Sequence, residues 1–326
     1  MTIPRHAPLV LATRGGAIEC VHHGSIAVVD ERGRLVASAG DPGALNFTRS
    51  ALKPFQALPF VEDGGIERFG FGPRELALMC ASHNAEPMHL RTVRGMLARV
   101  GAEAAHLKCG SQAPAFYAAT GKAPPAQRWS ALCHNCSGKH TGFLGWCRLH
   151  RRPLGEYLEP GSPLQKRIRA TLARLVPGTK LARGTDGCSA PNYAMPLAAI
   201  ARLYARLACD DRLAVLRLAM TRHPELVSGT GRMDLALARA GKGDWVAKGG
   251  AAGLQALGIR SRGWGIAVRI GDGNPAMVRV AAVGALRQLK LLGDPRRTPL
   301  APFAAASVRN DAGREVGRVE PRFRLR

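Results

Sequence analysis

Pro54 is the residue that most narrows what this chain can fold into. A helix can run through the stretch Arg-Ser-Ala-Leu-Lys-Pro-Phe-Gln-Ala-Leu-Pro, residues 49 to 59, if it begins there. Proline has no N–H to give, and the first four amides of a helix need no internal partner. A helix opening at this point sets Ser50 and Lys53 one turn apart on one face, with the amine in reach of the hydroxyl. It also sets them at the positive end of the helix dipole, which favours a developing oxyanion and eases loss of the lysine proton. Ser-x-x-Lys is a short pattern. Taken alone, it also fits a helix-capping serine followed by a solvated lysine.

The 326 residues, 46% of them hydrophobic, suffice for one large domain or two lobes around a core. No apolar run reaches the roughly 18 residues of a membrane span. The opening MTIPRHAPLVLATRGGAIEC lacks the charged, apolar and small-residue sequence of a secretory signal, so the cytoplasm is the expected setting. The formal charge of +24 would by itself nominate a nucleic-acid partner. The arginines are spread singly, however, and only four Tyr and four Trp could serve as stacking platforms, so specific nucleic-acid binding is not expected.

Along the chain, residues 17 to 29 and 35 to 37 read as strands around the turn Asp30-Glu-Arg-Gly-Arg34. Helices are expected from Pro73, from Pro87 and from Pro163, the last capped by Ser162 with Leu164, Ile168, Leu172 and Leu175 on one face. Between the first two, the helical pattern breaks at Ser82-His-Asn84. Residues 110 to 130 read as a long loop. The turn-forming stretch from Gly184 to Asn192 carries Asp186 and Cys188 and is expected to open a helix at Pro196. Strands follow at 244–250 and 263–269, a helix at 277–292 and a final hairpin around residues 308–317. The arginines at 322, 324 and 326 read as solvated.

The segment Cys133-His-Asn-Cys136-Ser-Gly-Lys139-His-Thr-Gly142 admits several chemistries. A phosphate loop would need Gly at Cys133 and Ser or Thr at His140, and is rejected. A redox Cys-x-x-Cys pair, a thiolate metal site using Cys136 with a distant partner, and simply buried thiols all remain open.

In chain order, Ser50-x-x-Lys53, Ser82-x-Asn84 and Lys248-x-Gly250 match the three-part signature of penicillin-binding proteins and serine β-lactamases. The set has a chemical logic: Ser50 is a nucleophile, neutral Lys53 its base, and Ser82 can pass the proton toward the leaving group between Lys53 and Lys248. These blocks, with His134-Asn-Cys136-Ser-Gly-Lys139-His140 and Gly184-Thr-Asp186-Gly-Cys188, resemble the asparaginase II family of Rhizobium-type L-asparaginases over nearly the whole chain. The resemblance implies a mixed α/β, β-lactamase-like fold: an antiparallel sheet with helices packed on it and a mostly helical part. It implies one domain over residues 1–326 whose two lobes meet at the active site, and a homodimer. It further implies hydrolysis of L-asparagine by two Ser-Lys pairs, Ser50 with Lys53 and Ser82 with Lys248. Substrate-facing roles fall on Arg49, His83, Asn84 and Asp186, and zinc on Cys136, Lys139 and Cys188. The chain departs from the family at Ala252, where a glutamate is usual, and in its arginine load. A β-lactamase or peptidase acting through the same residues is the alternative enzyme; a basic nucleic-acid-binding protein is the alternative from another class.

Overall fold

The computed structural model describes residues 3–326. It contains two compact units: Met1–Ala51 with Met195–Cys209 and Ala236–Arg326, and Leu52–Ala194 with Asp210–Leu235.

The first unit is an antiparallel sheet. Across it run Ala306–Arg309, Glu315–Pro321, Ala7–Arg14, Ala17–Asp30, Trp264–Ile270, Leu254–Ile259 and Trp245–Gly250, and Leu35–Ala39 also pairs with Ala17–Asp30. The hairpin expected from residue 17 onward is present, and its turn is closed by Gly33 in the left-handed region, φ 83°. Residues 25–29 are buried at every position instead of alternating, as are Leu254–Ile259. A strand covered on both faces has no period of two to read, which is why Leu254–Ile259 escaped sequence analysis. Ala7–Arg14 escaped too, in a stretch of mixed apolar and basic residues.

The helix Leu197–Cys209 packs on this sheet at unusually short range. A Cβ on Gly258 would meet the Tyr204 carbonyl oxygen at 2.2 Å, and one on Gly265 the Ala201 carbonyl oxygen at 1.8 Å. The two glycines face each other across neighbouring strands, so together they make a bare strip for the helix backbone. A second helix, Pro275–Gln288, is capped by Asn274, whose Oδ1 accepts from the amides of Ala276 and Met277.

The second unit is mostly helical and is built around Ser137–Leu149. That helix is buried from Ser137 to Cys147. Its glycines form a stripe at spacings of four and three residues, and each admits a neighbour: a Cβ on Gly138 would meet the Leu78 carbonyl oxygen at 2.4 Å, on Gly142 the Met79 Cε at 2.4 Å, and on Gly145 the Phe60 ring at 2.8 Å. The glycines of the Ser-Gly-Lys-His-Thr-Gly run thus serve close helix packing. Lys53–Glu62, Pro73–Met79, Pro87–Val100 and Pro163–Leu175 surround it. The Ser162 cap on the last of these is formed as expected, with its hydroxyl accepting from the Gln165 amide.

Two expectations need correction. Residues 186–190 do not lie at a helix N-terminus; they form the turn of a hairpin in which Ala182 through Thr185 pair with residues 194 through 191. Residues 110–130 are not one loop, because Ala115–Thr120 is helical within them.

Candidate active site

Four short segments of the second unit converge on a buried polar cluster. Lys53 is the first residue of the helix Lys53–Glu62, with Pro54 in its first turn as the sequence requires. Ser50 precedes it in a 3-10 turn, Arg49–Leu52, and the turn begins with strain: Arg49 adopts φ 45°. Lys53 is fully buried, and its Nζ donates to the Ala81 carbonyl oxygen at 2.6 Å and to the Ser82 Oγ at 2.8 Å.

The Ser82-His-Asn84 segment is held in extended form by its backbone. The amides of Ser82 and Asn84 donate to the carbonyl oxygens of Val227 and Ser228, and that of His83 to Asn135. His83 has both ring nitrogens occupied, Nδ1 accepting from the Ala85 amide and Nε2 bonded to the Ser137 hydroxyl, which itself donates to the Leu132 carbonyl oxygen. Burial, then the charges of His89 and Lys53, hold the His83 imidazole well below its ordinary pKa and so neutral. Asn84 is likewise committed: its Nδ2 donates to the Thr230 carbonyl oxygen and to Glu86, and its Oδ1 accepts from the Arg232 guanidinium at 3.3 Å.

The thiols lie next to this corner. Cys136 caps the central helix, Lys139 lies in its first turn, and Cys188 comes from the hairpin turn. Lys139 Nζ donates to Cys188 Sγ at 3.1 Å. A hydrogen bond with Cys188 pushes the Cys136 thiol well below its ordinary value; burial opposes this, and the charges of Lys53 and Lys139 add to it. Burial alone would lower Lys139, yet the thiolates of Cys188 and Cys136, with Asp186, raise it above the usual lysine range. Asp186 accepts from the Gly187 amide through its carboxylate, which fixes the turn that presents Cys188. Cys133, the other half of the Cys-x-x-Cys, takes no part in this cluster, and its thiol is raised by burial.

His140 and Tyr157 were not foreseen. The Tyr157 hydroxyl accepts from the Lys108 amide and is bonded to His140 Nδ1 at 2.7 Å. Nε2 is buried without a partner, and its surroundings include the Cys188 thiol. Two thiolates and an amine are a donor set that zinc accepts. The set depends on the lysine: among the described residues no three His, Cys, Asp or Glu side chains form a metal-binding group.

The remaining sequence-derived residues belong to the first unit. Lys248 is buried on the strand Trp245–Gly250, opposite Ala256, and its Nζ donates to the Gly249 carbonyl oxygen at 2.9 Å. Arg49 and Ser50 are half-buried. Ala252 stands in the turn after Gly250 with φ 59°. Among the described residues no helix is long and apolar enough to cross a membrane.

The site thus joins an amine held on a serine hydroxyl to a pair of neighbouring thiols. The chain belongs to the L-asparaginase II family, whose model matches residues 10–321. No curated protein matches it. Solved structures with some likeness include Mglu in its native form in 4.3 M NaCl, 17% identical, with a TM-score of 0.41 over 84% of this chain and 63% of Mglu. The L-glutamate-binding form of Mglu is 17% identical, with a TM-score of 0.39 over 84% of this chain and 61% of that one. A β-lactamase from Mycobacterium bovis is 12% identical, with a TM-score of 0.35 over 81% of this chain and 94% of that one. This chain therefore spans less than two thirds of Mglu in these two forms. Likeness at these TM-scores carries no argument, and the assignment rests on the family match.

Proposed function

We propose that the protein hydrolyses L-asparagine to L-aspartate and ammonia through a serine ester. The observation that carries this reading is Lys53, a fully buried amine that donates to the Ser82 hydroxyl at 2.8 Å in a member of the L-asparaginase II family. A buried lysine on neutral acceptors can give up its proton and take it back, as a general base must. In the proposed reaction Ser50 attacks the side-chain amide carbon and its proton passes to neutral Lys53. Ser82 relays a proton to the departing nitrogen, which leaves as ammonia, and Lys248 is the cation of the second pair. Water then attacks the ester, gives its proton to Lys53, and releases aspartate as Ser50 recovers its hydrogen.

Arg49, His83, Asn84 and Asp186 shape the substrate environment in this reading, His83 and Asn84 by holding the Ser82 segment rigid. Cys136, Lys139 and Cys188 would hold zinc, which when bound supplies a Lewis acid. The homodimer, which the family resemblance implies, and the cytoplasmic setting belong to the same proposal.

The test is ammonia release from L-asparagine by the parent and by Ser50→Ala, each with and without added zinc. Loss of at least about a thousandfold in the variant is expected. Full release by Ser50→Ala, or turnover of a chromogenic cephalosporin by a parent inert to asparagine, would overturn the reading.

A further inference from the structure

Arg232 lies in the loop Ser228-Gly-Thr-Gly-Arg232, whose start is tied to the Ser82 segment by the Asn84 amide donating to the Ser228 carbonyl oxygen. Glu86 fixes the loop's tip: its carboxylate accepts from the Thr230 amide at 2.8 Å and from the Thr230 hydroxyl at 3.1 Å, and also from Asn84 Nδ2. Gly229 and Gly231 are obligatory there. Both have positive φ, and a Cβ would meet Glu86 Oε1 at 2.4 Å and the Ala119 carbonyl oxygen at 2.5 Å respectively. The loop is therefore a rigid mount.

The mount holds a half-buried guanidinium whose hydrogen-bond partner is a neutral amide oxygen, Asn84 Oδ1. No carboxylate pairs with Arg232 among the described residues, and the nearby Glu86 has its oxygens engaged by Thr230 and Asn84. A half-buried arginine normally finds an anion, because its five N–H donors match a planar carboxylate in two parallel bonds. The same loop supplies a second unfilled group. Ser228 is fully buried and its hydroxyl has no hydrogen-bond partner. Both groups flank the backbone that carries Ser82.

We propose that Arg232 binds the α-carboxylate of an amino-acid substrate, with Asn84 orienting the guanidinium. It rests on the amidohydrolase reading of the Ser82 corner, and its test is a binding experiment that needs no turnover. Calorimetric titration of the parent, Arg232→Gln and Arg232→Lys with L-aspartate and with β-alanine isolates one group, since the two ligands differ only in the α-carboxylate. Arg232→Gln is expected to weaken L-aspartate about 100-fold and Arg232→Lys about 10-fold, while β-alanine changes less than about threefold in both. Should Arg232→Gln fail to fold by circular dichroism, Arg232→Lys carries the test. Unchanged L-aspartate affinity, equal losses for both ligands, or a parent that binds no L-aspartate would each overturn the proposal. A parent that binds L-aspartate through Arg232 yet releases no ammonia from L-asparagine would sink the hydrolase reading and leave the carboxylate site standing.

Discussion

Two lysines of the helical unit are almost equally buried and are treated in opposite ways. Lys53 donates to two uncharged acceptors, a carbonyl and a hydroxyl. Lys139 donates to a thiol whose ionised form, with those of Cys136 and Asp186, raises it above the usual lysine range. Burial opposes the Lys139 charge. The partners decide the outcome. The Lys139 environment holds an ammonium until something stronger displaces its proton, as a metal would. Cys136 lies between the two, since both lysines help to depress its thiol.

The largest effect that could break this comparison is on turnover. Lys53→Met should cost at least about a thousandfold in ammonia release, because the general base is lost; circular dichroism checks that the variant folds. Lys139→Met should instead weaken zinc by roughly 10- to 100-fold or more, measured against a chromophoric chelator. The pH dependence sharpens the contrast. Zinc must displace the Lys139 proton, so affinity should rise with pH through the neutral range, and the parent should release about one proton more per zinc than Lys139→Met does. Equal pH slopes would mean that the amine is not a ligand.

Smaller effects test the scaffold. Gly138→Ala drives a methyl group against the Leu78 carbonyl oxygen and should cost about 1–3 kcal/mol in urea denaturation. It shifts the first turn of the helix that carries Lys139, so zinc affinity should fall with stability while Ser162→Ala, a lost cap costing about 1 kcal/mol, leaves zinc unaffected. Acid should also destabilise the unit. His134 and His140 are held neutral by burial, both depressed to about 4, whereas the unfolded chain protonates them near 6.5. Depressed histidines favour the unfolded state as protons bind to it, so stability should fall as pH drops from about 6.5 toward 4. Ala252→Gly, far from either lysine in the chain, relieves a left-handed alanine and should raise stability by about 0.5–1 kcal/mol.

Much of this was legible in the sequence where a local rule operates. Pro54, Pro87 and Pro163 marked helix starts, Ser162 marked a cap, and Gly33 closed the hairpin that begins at residue 17. Legibility failed where burial removes periodicity. The helix Ser137–Leu149 is buried throughout most of its length, so its glycine stripe offered a false resemblance to a phosphate loop and no amphipathic pattern. The residues of the site were named from short motifs, but their contacts join positions far apart in the chain: Lys53 with Ser82, Lys139 with Cys188, His140 with Tyr157. Arg232 left no trace, since an arginine that follows a glycine in a turn-rich stretch looks like any solvated one.

The central claim is that a serine ester forms and that Lys53 drives it. The most direct measurement is mass mapping of the parent and Lys53→Met after acid quenching during incubation with L-asparagine. The account predicts an aspartyl group esterified to Ser50 in the parent and none in Lys53→Met. An aspartyl group on Ser82 instead, or parent-level labelling without Lys53, would contradict it.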